Sequence, residues 1–257
     1  VIYYLELSGY RVIPGYQYLR ANNNKVFMEF LRSLHQVPGW SDMETRHFGT
    51  FEEFQKYAPK LQQTTVLKKA RGAMSRGVFL VKPNESFIKN VREVSRSRYP
   101  KAELWEWLRW IKYPGYRRRS KYRNKFISQR FIEGLDGDWK ILAFGNKYYS
   151  LYRRNRKGDF RASGSGLWSQ ETAPKKILDY AKQCFEVLSV PNLSMDISYV
   201  CNQCQLIEFQ AVYYGPTTME ISKFYYDADK EWEVVTEDPI LEREYASSIV
   251  QYLERSR

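Results

Sequence analysis

Residues Arg153–Gly166 read RRNRKGDFRASGSG, and further along the chain they are answered by Asp196 in SMDISYV and by Glu208-Phe209-Gln210 in LIEFQAV. The first segment is dense in cations and contains a glycine-rich turn. The other two place two carboxylates and an amide in strand-like alternation, and the two-residue period puts Glu208 and Gln210 on one face. Mg²⁺ takes oxygen ligands, usually one or two carboxylates together with substrate phosphates. Arginines neutralise phosphate charge. A cationic segment facing a small carboxylate cluster therefore suits the holding of a nucleotide triphosphate with its Mg²⁺ ions. The acid and amide of LIEFQAV also stand among apolar residues, and buried acids are rare unless paired or metal-bound.

Working outward, the surrounding sequence alternates like an antiparallel sheet. Phe126–Ile132 (FISQRFI), Trp139–Gly145 (WKILAFG) and Lys147–Asn155 (KYYSLYRRN) read as strands, with Gly145-Asn146 as a tight turn between the last two. Pro174–Leu188 is an amphipathic helix with Ile177, Leu178, Ala181, Phe185 and Leu188 on one face. MDISYV and CQLIEFQ form a hairpin around Asn202-Gln203, and the chain ends in a helix from Glu237.

Towards the N-terminus, residues 1–13 read as a helix end and a short strand, GYRVIP. Lys25–Leu34 has helical period, and Asn22-Asn23-Asn24 offers an N-cap. A short helix at Phe51–Tyr57, strands at Thr64–Lys69 and Val78–Val81 and a helix at Ser86–Arg96 follow. Leu104–Lys112, with Trp105, Trp107 and Trp110, reads as a helix or an aromatic-rich strand; the three rings suit packing better than base stacking. Pro114, Gly115 and the run Arg117-Arg118-Arg119-Ser120-Lys121 interrupt both periodicities and put a boundary near 113–125. The order is mixed α+β, without a βαβ rhythm or internal repeats.

The 257 residues can bury a substantial core. The net charge of +12 calls for a polyanionic partner, which a nucleotide phosphate, a nucleic acid, an acidic sugar polymer or an anionic membrane face would each supply. No apolar run approaches the roughly 20 residues that span a bilayer. VIYYLELSGYRVIP lacks the basic start and cleavage site of a signal peptide. Three cysteines build no disulfide framework, so a cytoplasmic location is expected. Cys201 and Cys204 have the spacing of half a zinc site but no second pair, and read as thiols flanking a hairpin turn; His35 and His47 have no partner at metal or triad spacing.

One further segment bears on phosphate binding. Lys68 ends a strand and is followed by the glycine-bounded loop Gly72–Gly77, GAMSRG, whose backbone N–H groups can approach phosphate oxygens. A plain hairpin loop explains the same residues, and the Walker pattern is missing.

Taken in order, Lys25 in NNNKVFMEFLRSL, VLKKARGAMSRGV, Gln129-Arg130-Phe131-Ile132, Arg153–Ser163 and the Asp196, Glu208, Gln210 set resemble the motif series of ATP-grasp enzymes over roughly residues 10–222. RRNRKGDFRAS is most similar to the ribosomal-protein glutamate ligase branch. The resemblance implies an ATP-grasp fold, two α+β lobes gripping ATP: a remnant of an N-terminal substrate domain at 1–20, a lobe with the phosphate-covering loop at 21–125, and a lobe with the metal site at 126–257. The preceding domain would then be truncated.

The resemblance also implies roles. Lys25 and Lys68 correspond to lysines on the ATP phosphates, Lys68 acting in catalysis as well, and Gly72, Ser75, Arg76 and Gly77 to the covering loop. Gln129, Phe131 and Ile132 correspond to the hinge at the adenine edge, Asp138 and Lys140 to an acidic and basic pair, and Arg154 to a phosphate or substrate contact. Asp196, Glu208 and Gln210 correspond to the ligands of Mg²⁺, with Mn²⁺ as a substitute, and Arg161 to the catalytic arginine beside the acyl group. Gln210 stands where Asn is usual, Ser163 where the related ligases often have Asn, and Arg130 at a hinge position usually held by Glu. The implied reaction joins a carboxylate donor, small or acidic, to an amine through an acylphosphate. A kinase of the same fold acting on a sugar or small molecule is one alternative. A basic nucleic-acid binder is the other, though such a binder has no use for the buried acids.

Overall fold

The structure, a computed structural model, describes residues 1–35, 39, 43–72, 77–83, 87–97 and 99–255. The chain forms two compact units, one made of Val1–Met43 with Ile132–Arg257 and the other of Glu44–Phe131.

The larger unit is built on an antiparallel sheet. Its strands are β5 (Gly137–Phe144), β6 (Lys147–Arg154), β7 (Trp168–Ser169), β8 (Asn192–Val200), β9 (Gln203–Gln210), β10 (Phe224–Asp227) and β11 (Glu233–Thr236). The order is β11-β10-β6-β5-β8-β9, with β7 on β6. The β5–β6 turn falls at Gly145-Asn146 as the sequence suggests. Gly145 has φ +59, the left-handed region that favours glycine, and a Cβ there would lie 2.0 Å from the Gln251 side chain. Helices α1 (Ile2–Leu7), α2 (Tyr16–Ala21) and α3 (Lys25–Leu34) come before the sheet, and α7 (Lys175–Leu188), α8 (Thr217–Ser222) and α9 (Leu241–Arg255) are woven into it.

One face of this sheet is the main core. Trp139, Ile141, Met195, Ile197 and Phe209 meet Ile177, Leu178, Ala181, Phe185 and Leu188 of α7, together with Met28 and Leu31 of α3. Each large side chain buried in this way contributes about 1.5–3 kcal/mol. All five α7 residues assigned to one face from the sequence are buried. The helix stops where Ser189 turns left-handed at φ +48 and its N–H caps the Phe185 and Glu186 carbonyls. On the opposite face, Leu142, Phe144 and Tyr149 form a second cluster with Tyr214, Met219 of α8 and Tyr245 of α9. The charged residues described below share that opposite face.

The smaller unit is a four-stranded antiparallel sheet, β1 (Arg46–Phe48), β4 (Phe126–Arg130), β2 (Thr65–Lys69) and β3 (Val78–Val81) in that order. Helices α4 (Phe51–Tyr57) and α5 (Ile88–Ser95) join it around Phe48, Phe54, Leu67, Val91 and Phe126. The Phe48 and Phe126 rings stack there with centroids 5.2 Å apart. Helix α6 (Pro100–Lys112) completes the unit.

Several expectations change. Residues 9–14 form no strand; Pro14 lacks the N–H that a ladder needs. Phe126–Arg130 pairs with β1 and β2 and not with β5, so the chain divides at 131/132 instead of near 125. Residues 21–43 belong to the larger unit because α3 buries Met28 and Leu31 in its core. The β8–β9 turn is Cys201-Asn202, both at positive φ as a two-residue hairpin of this type requires, one residue earlier than the sequence suggests. Trp105, Trp107 and Trp110 are on a helix, and they are exposed instead of packed.

Candidate functional site

Antiparallel register decides which side chains share the charged face. Lys140 on β5 lies opposite Asp196 on β8, and Asp196 lies opposite Glu208 on β9, so the three form a row across the sheet. Two residues along β5, Asp138 lies opposite Arg153 of β6. Two residues along β9, Gln210 lies opposite Ser194. The structure thus brings Asp138, Lys140, Asp196, Glu208 and Gln210 onto one face.

The charges on this face are closely paired. Arg153 donates to both carboxylate oxygens of Asp138, at 2.7 and 2.8 Å, and reaches Asp196 Oδ2 at 2.8 Å. Lys140 Nζ donates to Asp196 Oδ1 at 2.8 Å. Burial alone would raise the Asp196 carboxyl, but the Arg153 and Lys140 charges hold it well below the usual carboxylate range. Burial pushes Asp138 up; Arg153 opposes this, whereas the neighbouring Asp196 charge adds to it. The two acids part because Asp196 has a second cation at hydrogen-bond distance. Arg153, buried against its own charge, is raised above its ordinary value by Asp196 and Asp138.

Helix α3 supplies the edge of the site. Asn24 caps it by accepting from the Phe27 N–H at 3.3 Å, which sets the first turn and with it Lys25. Lys25 Nζ donates to Glu208 Oε1 at 2.9 Å. Glu29 and Arg32, one and two turns on, are both buried and paired at 3.1 Å. Arg32 donates to the carbonyl oxygens of Leu206 and Ile207. The β8–β9 register slips there: Asp196 faces Glu208 while Ile197 faces Leu206, leaving Ile207 as the extra residue of a β-bulge. Arg32 therefore secures the irregular backbone immediately before Glu208. Sequence reasoning missed Glu29 and Arg32. Their signal is a charged i, i+4, i+7 stripe, Lys25-Glu29-Arg32, on a helix whose remaining buried positions are apolar.

The other residues expected at the site are placed as follows. Arg153, the first cation of the segment Arg153–Gly166, is enclosed between two carboxylates. Arg154 is exposed and donates to Glu171 at 2.7 Å. Arg161 binds Asp159, two residues away, through Nε at 2.9 Å and Nη2 at 2.6 Å. These hydrogen bonds, against slight burial, draw the Asp159 carboxyl below its ordinary value and raise Arg161. Lys68, Gly72, Gly77, Gln129 and Phe131 belong to the smaller unit, and Ser75 and Arg76 lie outside the described residues. Within that unit Lys68 is buried in β2, and Gln129 donates to Thr45 Oγ1 at 3.2 Å. The Phe131 N–H donates to the Thr64 carbonyl at 3.0 Å. Ile132 is the first residue of the return to the larger unit.

The donor set fits a hard divalent cation. Asp196, Glu208 and the Gln210 carbonyl offer only oxygen, from adjacent strands and on one face. Among the described residues no group of three or more His, Cys, Asp and Glu could hold a metal. Of the two carboxylates Glu208 is the more accessible, with its side chain 27% exposed against 12% for Asp196. Asp138, Asp196 and Glu208 are thus paired with Arg153, Lys140 and Lys25 on this face.

Comparison with solved structures agrees with this architecture. D-alanyl-alanine synthetase A from Vibrio cholerae O1 biovar eltor superposes with a TM-score of 0.58 at 12% identity, over 99% of this chain and 72% of that one. N5-carboxyaminoimidazole ribonucleotide synthetase, solved as its ADP complex, gives a TM-score of 0.58 at 10% identity over 88% and 54%. The ATP-grasp ligase PsnB, complexed with its minimal precursor, gives 0.50 at 12% identity over 96% and 66%. No protein-family model and no curated protein sequence matches the chain. Likeness at this level of identity concerns the fold, and the fold is that of the ATP-grasp proteins, mixed α+β with antiparallel sheets.

Proposed function

We propose that this chain is an ATP-dependent ligase that joins a carboxylate to an amine and releases ADP and phosphate. The observation that carries the reading is the row Lys140, Asp196, Glu208 with Lys25 at its edge, an array of oxygen donors and cations on one sheet face of an ATP-grasp fold. The solved neighbours include an ADP complex and ligases, which supports a nucleotide substrate and C–N bond formation.

In this reading a substrate carboxylate oxygen attacks the γ-phosphorus, the bond to the β-phosphate oxygen breaks, and ADP leaves. The amine then attacks the acyl carbon of the acylphosphate, phosphate departs, and the amine gives up a proton. Asp196, Glu208 and Gln210 would hold Mg²⁺, which would supply positive charge to offset that of the phosphates. Lys25 exchanges Glu208 for phosphate, so its charge stays compensated throughout. Arg153 and Lys140 keep Asp196 ionised and fixed in position. Arg161 leaves Asp159 for the acyl oxygen and stabilises the oxyanion. In the smaller unit Lys68, Gly72, Gly77 and Gln129 are assigned to the nucleotide. The likeness of RRNRKGDFRAS to the ribosomal-protein glutamate ligase branch, together with the cations of that segment, favours an acidic carboxylate donor.

An ADP-release assay over pools of carboxylates and amines, followed by product mass, tests the reaction. Loss of water between two substrates is the expected product; a phosphorylated product means a kinase and rejects the ligase. Glu208→Ala is expected to abolish ATP turnover while retaining the native circular dichroism. Full turnover in that variant excludes the site.

A further inference from the structure

Helix α6 carries its apolar stripe on the outside. Leu104, Trp107, Leu108 and Ile111 recur at i, i+3, i+4 and i+7, the spacing that ordinarily turns a helix towards a core. The buried residue of α6 is instead Glu106. Its carboxylate accepts from the Tyr116 hydroxyl at 2.8 Å and the Arg119 N–H at 3.0 Å. The Arg119 N–H and the Tyr116 hydroxyl hold the Glu106 carboxyl below its ordinary value. The helix is thus anchored by its polar side. Trp105, Trp107 and Trp110 are 62%, 44% and 53% exposed, and Leu104 and Ile111 are as open. Tyr99 and Tyr113 stand exposed at the two ends. A contiguous apolar surface of this kind marks a place of contact.

Charge decides what makes that contact. Between residues 99 and 121 there are seven cations, Lys101, Arg109, Lys112, Arg117, Arg118, Arg119 and Lys121, against two acids, of which Glu106 is buried. A second copy seated on the same face would set these cations against their own kind. A single-stranded nucleic acid would stack on the tryptophans but offers nothing apolar to Leu104, Leu108 and Ile111. An anionic bilayer surface satisfies both halves. Its acyl boundary takes the aliphatic stripe, its headgroup level takes Trp and Tyr, and its charge takes the basic segment.

We propose that α6 and the basic segment 112–121 seat the protein on an anionic phospholipid surface as an interfacial anchor lying in the plane of the membrane. No helix of the described residues is long and apolar enough to cross a membrane, so this is attachment without a helical span. The anchor stands independently of the proposed ligase reaction.

The test is flotation of the full chain with phosphatidylcholine vesicles, with and without phosphatidylserine. Retention on the phosphatidylserine vesicles is expected to exceed that on phosphatidylcholine at least about tenfold, to fall with added salt, and to shift tryptophan emission to the blue. Trp107→Ser with Ile111→Ser is expected to cut retention about tenfold. Arg117→Ser with Arg118→Ser is expected to reduce the preference for phosphatidylserine. All four side chains are exposed, so circular dichroism should be unchanged. Equal or absent retention on the two vesicle types overturns the proposal. So does a concentration-dependent dimer, or oligonucleotide binding without vesicle binding, that the Trp107→Ser, Ile111→Ser variant abolishes.

Discussion

Lys25 and Glu208, 183 residues apart in sequence, meet at 2.9 Å where the first turn of α3 touches β9. The pair joins a helix start to the more accessible carboxylate of the proposed metal-ligand set, so it links the fold to the proposed chemistry. Lys25→Met is expected to lower ATP turnover by about 10²–10³-fold, the loss typical of removing one charge-stabilising donor. Stability should fall by less than about 2 kcal/mol, since Glu208 stays in reach of water. Steady-state ADP release and urea unfolding measure the two effects separately. Unchanged turnover would detach Lys25 from the site.

Asp196 is held below the carboxylate range by Arg153 and Lys140, and this fixes the sign of its pH dependence. A depressed folded-state value means stabilisation that is complete above the unfolded value of about 3.9 and is lost as pH falls towards the folded one. Asp196→Asn leaves two cations undercompensated and is expected to cost about 3–5 kcal/mol near neutrality. The difference from wild type should narrow below about pH 4. Urea titrations at neutral and acid pH check this, and a difference independent of pH would contradict it.

Gly137 opens β5 beside the Arg153 backbone. A Cβ there would lie 2.4 Å from the Arg153 carbonyl oxygen and 2.7 Å from the Tyr152 ring. Gly137→Ala is expected to destabilise by about 1–3 kcal/mol, as overpacking does. It should also lower turnover, because the strand segment that carries Arg153 must move. An alanine variant with wild-type stability and activity would show that the backbone yields without cost.

Arg32 and Glu29 are buried together next to the bulge that positions Glu208. Arg32→Met withdraws the guanidinium from Glu29 and from the Leu206 and Ile207 carbonyls, at an expected cost of about 3–5 kcal/mol. Adding Glu29→Gln should restore part of it, with a coupling of about 0.5–3 kcal/mol in a double-mutant cycle. Additive effects would mean that the two side chains act separately.

The elements with strong local signals are legible in the sequence. The α7 stripe, the Asn24 cap of α3, the Gly145 turn and the alternation of LIEFQAV all rest on contacts within a few residues, which periodicity reports directly. Phe126–Arg130 is legible as a strand but not in its neighbours, because pairing partners are not written in a strand's own pattern. Composition makes core residues of the α6 tryptophans because their rings are apolar, whereas exposure depends on what covers them. Arg153 and Arg154 are adjacent and identical in type, yet one is enclosed by two carboxylates and the other is open to water. Strand alternation sends them to opposite faces, and only the register says which face holds the acids.

What the sequence determined by itself was the strand identity of 195–200 and 204–210 and the two-residue period that puts Glu208 and Gln210 on one side. It determined the mixed α+β class as well, since these follow from local backbone preference and alternation. Only the tertiary structure decided that Lys140, Asp196 and Glu208 form one row, that Arg153 fills the space between Asp138 and Asp196, and that Lys25 closes the edge. Those relations depend on register, on one bulged residue at Ile207 and on the docking of α3. A slip of a single residue in any strand would send the same charges to the opposite face of the sheet.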